Sequence, residues 1–85
     1  MKDMDSRVAQ ITANPAGVKF RELVKICNFY FGFPRHYSSS HHVYGTPWQG
    51  EPRINIQKDS SGMAKFYQVK QVIAALAKLK EMDNG

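Results

Sequence analysis

Apolar positions recur at spacings of three and four from Phe20 through Leu23, Val24, Cys27, Tyr30 and Phe31, and Gly32 and Pro34 follow as stop signals. This predicts a helix with one broad apolar face, entered after the break Pro15-Ala16-Gly17. From Phe66 a second such set, Val69, Val72, Ile73, Leu76 and Leu79, predicts a long amphipathic helix that fades at Asp83-Asn84-Gly85. Between the helices the period shortens to two. Arg53-Ile54-Asn55-Ile56-Gln57 alternates polar and apolar residues, the mark of a strand with one buried face. Phe33 to Tyr37 and His41 to Thr46 flank the polar turn Ser38-Ser39-Ser40 and read as a hairpin. Loops follow at Pro47 to Pro52, rich in turn formers, and at Lys58 to Gly62. Met4, Val8 and Ile11 are scattered ahead of Pro15, so residues 1–15 are expected to be an arm or short helix and residues 16–82 one domain.

The order helix, three strands, helix predicts an α+β fold, with a three-stranded antiparallel sheet carrying two helices on one face and leaving the other open. Ile54 and Ile56 must face the helices. Taking Val43 as the inward residue of its strand sends His42, Tyr44 and Thr46 to the open face with Arg53, Asn55 and Gln57. That face is then polar, basic and aromatic, a combination suited to phosphate and base contacts in RNA.

Composition narrows the partners. The chain of 85 residues, 42% of them hydrophobic, supports one small core. No segment approaches the roughly 20 apolar residues of a membrane span. The polar start Met1-Lys2-Asp3-Met4-Asp5 lacks the apolar stretch of a signal peptide, and the lone Cys27 on an apolar helix face fits a reducing compartment, so a cytoplasmic protein is expected. Net charge is +5, and between Leu23 and Lys80 the bases Lys25, Arg35, Arg53, Lys58, Lys65, Lys70, Lys78 and Lys80 face only Glu51 and Asp59. Such a surface attracts polyanions, chiefly nucleic acid, although charge alone fits solvated lysines equally well.

The chemistry concentrates at His41-His42, adjacent residues that point to opposite faces of a strand. They make a poor chelate and a good setting for one acid/base imidazole. His36, His41 and His42 match no zinc spacing, and no metal or cofactor is expected. Cys27 sits in the buried stripe and reads as core rather than nucleophile.

Ser40-His41-His42-Val43-Tyr44, then Arg53-Ile54-Asn55-Ile56-Gln57, then Ala64 to Val72 (AKFYQVKQV), resemble in this order the HicA toxins of bacterial toxin–antitoxin pairs, over roughly residues 18–80. The chain departs from that pattern at Ser39, where glycine is common, and at Phe66, where proline often stands. The resemblance implies a double-stranded-RNA-binding-domain-like α-β-β-β-α fold and an mRNA interferase activity that needs no metal. It also implies a cognate HicB-like antitoxin and one essential histidine, which aligns with His42. His42 is then the expected general base toward a ribose 2′-hydroxyl. Arg35, Lys65 and Lys70 are expected to offset charge on the phosphorane, and Ser40, His41, Tyr44 and Arg53 to complete the RNA-binding set. His36 is a candidate second acid/base: a three-residue loop Ser38-Ser39-Ser40 sets it opposite His42, whereas a shift of one residue in register sends it away. The alternative function is a non-catalytic RNA-binding module of the same fold.

Overall fold

The computed structural model describes residues 3–84. Helix α1 (Met4–Ala13) leads through a 3₁₀ turn (Pro15–Gly17) into α2 (Phe20–Phe31). Strands β1 (His36–Tyr37), β2 (His41–Tyr44) and β3 (Ile54–Gln57) form an antiparallel sheet in that order, and α3 (Phe66–Asn84) closes the chain. The class is α+β, with three helices and an open three-stranded sheet.

Of the arm or short helix expected ahead of Pro15, the structure has the helix, α1, docked on the rest of the fold. Asp3 caps α1 by accepting the Ser6 N–H at 2.8 Å, Ile11 is buried, and Met4 and Val8 pack against the core. Arg7 donates to Glu22 at 2.6 Å, tying α1 to α2. Gly32 ends α2 at φ +80°, where its N–H reaches the Asn28 carbonyl at 3.1 Å and a residue with a Cβ is strained.

The core lies between the sheet and the helices. It joins Leu23, Ile26 and Cys27 of α2 to Tyr44, Ile54 and Ile56 of the sheet and to Val69, Val72 and Ala75 of α3. Each large aliphatic side chain there contributes about 1.5–3 kcal/mol by leaving water. Burial pushes the Cys27 thiol up to about 12, so it stays a protonated core group. Ile26 and Ala75 fall outside the apolar sets read from the sequence. Gln68 is buried because its Oε1 accepts the Gln57 N–H at 2.7 Å, covering part of the outer edge of β3.

Three expectations are corrected. The strands are shorter than Phe33–Tyr37, His41–Thr46 and Arg53–Gln57. Phe33 is 90% exposed, since the turn at Gly32 and the missing N–H of Pro34 delay pairing until His36. The faces of β2 are inverted. His42 stands opposite Ile56 and Tyr44 opposite Ile54, so both point to the helices, while Val43, opposite Asn55 and half-buried, points to the open side. Tyrosine wins the core position because its ring removes more apolar surface than valine and its hydroxyl finds a partner, donating to Asn28 Oδ1 at 2.6 Å. Third, the hairpin closes one residue tighter. Tyr37 pairs with His42 and His36 with Val43, and the Ser38 N–H reaches the His41 carbonyl at 2.8 Å. His36 is therefore on the opposite face from His42.

The face assignment is testable by unfolding in urea. Ile56→Ala is expected to cost about 2–5 kcal/mol, the range for a fully buried aliphatic side chain, and Val43→Ala about 1 kcal/mol or less. A larger loss at Val43 than at Ile56 would return Val43 to the core.

Candidate active-site cleft

The register of β2 carries His42 to the rim of the helix-covered face. There its ring meets Phe20 edge-on, with centroids 5.3 Å apart at 83°, and Tyr37 at 5.8 Å and 66°. Its Nδ1 lies 3.4 Å from the Tyr44 hydroxyl. The aromatic packing holds a half-buried imidazole without closing it off. Burial lowers its pKa below the ordinary 6.5, opposed by the Ser38 backbone, which favours the charged ring, and assisted by the charge of His41. At neutral pH the ring is therefore uncharged and free to accept a proton.

A cleft of about 720 Å³ opens beside this imidazole, walled by Lys19, Phe20, Arg21, Val24 and Lys25 on one side and by Ser39, Lys58 and Ser61 to Met63 on the other. Backbone bonds build the walls. Phe20 N–H donates to the Gly62 carbonyl at 3.0 Å and Ala64 N–H to the Val18 carbonyl at 2.8 Å, joining the start of α2 to the loop after β3. Lys58 N–H donates to the Ser40 carbonyl at 2.9 Å, joining the same loop to the hairpin. Asp59 organises that loop by accepting from the Ser61 N–H, the Ser61 hydroxyl and the Met63 N–H at 2.9, 2.7 and 3.0 Å. These bonds lower the pKa of Asp59, the Ser61 hydrogen bond most, so it is charged at neutral pH.

Four cations, Lys19, Arg21, Lys25 and Lys58, thus line the cleft that His42 borders, with Lys25 3.8 Å from the Glu22 carboxylate. Lys19 and Arg21 lie outside the residues singled out from the sequence. Their signal was local: Lys19-Phe20-Arg21 brackets the first turn of α2, and the Phe20 between them packs on His42.

Other expected site residues are dispersed. Ser40 is exposed at the hairpin tip. His41 points to the open face and bonds through Nε2 to Asn55 Oδ1. Tyr44 is buried rather than outward, and burial raises the pKa of its phenol. Arg35 and Arg53 line a second groove, of about 760 Å³, with His36, Val43, Trp48 and Asn55. Arg35 lies across Gly45, whose missing Cβ would sit 3.2 Å from the arginine Cδ. Lys65 starts α3, where its carbonyl accepts the Gln68 and Val69 N–H groups at 3.0 Å, and Lys70 packs its ammonium 5.4 Å from the Phe66 ring. None of Arg35, Lys65 and Lys70 lines the His42 cleft: Arg35 belongs to the groove of the open side, and Lys65 and Lys70 stand at the start of α3, outside the cleft walls.

Among the described residues no three His, Cys, Asp or Glu side chains are grouped as metal ligands, and no helix is long and apolar enough to cross a membrane. Comparison of the chain with protein-family models, with curated proteins and with solved structures finds no match, so the functional reading rests on the chemistry of the cleft itself.

Proposed function

We propose that this chain is an endoribonuclease that cuts mRNA with His42 as general base, in the manner implied by its resemblance to the HicA toxins. The observation that carries the reading is a half-buried, neutral imidazole on the wall of a cleft lined by four cations. The proposal extends to the double-stranded-RNA-binding-domain-like arrangement, here with an additional N-terminal helix. It also extends to a cytoplasmic setting and to an acidic HicB-like antitoxin that blocks the basic cleft by charge and occlusion.

In this scheme RNA enters with its phosphates against Lys19, Arg21, Lys25 and Lys58. His42 takes the proton of a ribose 2′-hydroxyl, and the freed oxygen attacks the adjacent phosphorus. The bond from phosphorus to the 5′-oxygen breaks, that oxygen takes a proton from solvent water, and His42 later returns its own proton to solvent. The products are a 2′,3′-cyclic phosphate and a 5′-hydroxyl end. The cleft cations offset charge building on the phosphorane oxygens. No step uses a metal ion, and DNA, lacking the 2′-hydroxyl, is not a substrate. The groove holding Arg35 and Arg53 favours the second reading, a non-catalytic RNA-binding module, because two arginines line a groove away from His42.

Incubation of the purified protein with mRNA separates the two readings. His42→Ala is expected to lower cleavage by about 10²–10⁴-fold while the domain stays folded. Binding without cleavage by the wild type would assign the non-catalytic module.

The rate is expected to depend on pH through the neutral fraction of His42. Because the folded pKa lies below 6.5, the rate should fall only as pH drops through that lower value and should be level approaching neutrality. His36→Gln should leave this limb unchanged, since His36 lies on the other face. An ascending limb above pH 6.5 would contradict a desolvated base.

Binding of RNA to the His42→Ala variant should weaken with salt. The slope of log affinity against log salt is expected to fall by about one unit for Lys19→Ala or Lys58→Ala, and to stay constant for Lys70→Ala. An unchanged slope in the first two would remove them from the phosphate path.

A further inference from the structure

His42 is not held by packing alone. Its Nδ1 stands 3.4 Å from the Tyr44 hydroxyl, at the long end of hydrogen bonding, and that hydroxyl stands 2.6 Å from Asn28 Oδ1. The three side chains come from β2 and α2, so the row links the sheet to the helix beside the cleft. Its direction follows from the capacities of each group. A phenol has one proton. The short contact to an amide oxygen, which only accepts, uses that proton, and the phenol oxygen is left with lone pairs alone toward His42. The only favourable hydrogen bond between Nδ1 and such an oxygen has the imidazole donating, so the Tyr44 oxygen competes for the ring proton with the Ser38 backbone, the other acceptor that acts on the ring.

We infer that Asn28 and Tyr44 act as positioning residues that fix His42 as its Nδ1–H tautomer, leaving Nε2 as the nitrogen with a free lone pair. The inference rests on the catalytic reading for its consequence and on geometry alone for the tautomer. A neutral imidazole has one N–H and one basic nitrogen, and the hydrogen bond made by one ring nitrogen decides which is which. Were Nδ1 the bare nitrogen, it would face two lone pairs, and the proton on Nε2 would block the nitrogen on the far side of the ring from Tyr44. Ring orientation is constrained at the same time, because the edge-on contacts of Phe20 and Tyr37 resist rotation about the side chain while the Tyr44 oxygen selects between its two flipped states.

Several observations suit this role. Tyr44 is 4% exposed and its ring is part of the core, so its hydroxyl has little freedom to wander. Its phenol is kept protonated, as a donor to Asn28 requires. Asn28 lies one turn before the Gly32 cap of α2, and its own carbonyl accepts the Gly32 N–H at 3.1 Å, which fixes the backbone from which the amide reaches. An aspartate at position 28 would accept the same proton but add a negative charge next to a base whose neutrality depends on a dry setting. A carboxamide supplies the acceptor without the charge.

The test is nitrogen-15 NMR of the His42 ring in the intact wild-type protein at a pH where the ring is neutral, together with Asn28→Leu and Tyr44→Phe. In the wild type a pyrrole-type Nδ1 and a pyridine-type Nε2 are expected. Asn28→Leu frees the Tyr44 proton to point at Nδ1 and should move the population toward the Nε2–H tautomer. In cleavage assays both variants should lower kcat about tenfold with KM held, a part of the 10²–10⁴-fold attributed to general-base catalysis. A pyridine-type Nδ1 in the wild type, with the ring proton given to the Ser38 backbone instead, would overturn the inference, as would an unchanged tautomer in Asn28→Leu. A wild type that shows the Nδ1–H tautomer yet cleaves no RNA supports the positioning row and refutes the catalytic reading, so the two fail separately.

Discussion

The pairing of Tyr44 with Ile54 and of His42 with Ile56 is the constraint on which the rest of this molecule depends. Both isoleucines are fully buried, so whatever stands opposite them on the same face must also turn toward the helices. Tyr44 can do so because its hydroxyl is satisfied by Asn28. His42 follows by the period of two, and because it lies nearer the hairpin it emerges at the rim rather than in the core. One burial event thus places the imidazole against Phe20, dries it, and sets it beside the start of α2.

The cleft is a product of junctions rather than of any one element. The segment entering α2 brings Lys19 and Arg21, and the loop leaving β3 brings Lys58. Backbone hydrogen bonds join these segments into the walls of the cleft that the partly desolvated imidazole borders. Partial desolvation acts on the imidazole. It keeps the imidazole neutral, while the exposed cations of the cleft walls stay free to meet an anionic phosphate. The opposite surface keeps Arg35 and Arg53 in a separate groove, so the basic character of the chain is divided between two sides of a thin sheet instead of forming one continuous face.

Much of this architecture is legible in the residues. The spacing of Phe20, Leu23 and Cys27 and of Val69 and Val72 marked both principal helices, the alternation around Ile54 and Ile56 marked β3 and its buried face, and His42 stood out by its residue type. Cys27 was readable as core because it lay in an apolar stripe, and it is fully buried. Periodicity identifies such elements because side-chain direction along a helix or strand is fixed by local backbone geometry.

What the sequence left open is what depends on contacts between distant segments. Val43 and Tyr44 are both apolar enough to face inward, and the choice was made by Asn28, 16 residues away, which offers the acceptor that lets a tyrosine be buried. The hairpin register decided that His36 and His42 occupy opposite faces. A run of three serines does not specify it, because loops of two or three residues are both open to such a turn. Lys19 and Lys58 are far apart in the chain and come to line the same cleft as His42 only when the loop after β3 docks on α2. By itself, then, the sequence determined the two principal helices and the alternating strand β3 and singled out His42 as the candidate base, since those follow from local periodicity and residue chemistry. Only the tertiary structure decided which face His42 occupies and which cations share its cleft, since those follow from cross-strand register and long-range docking.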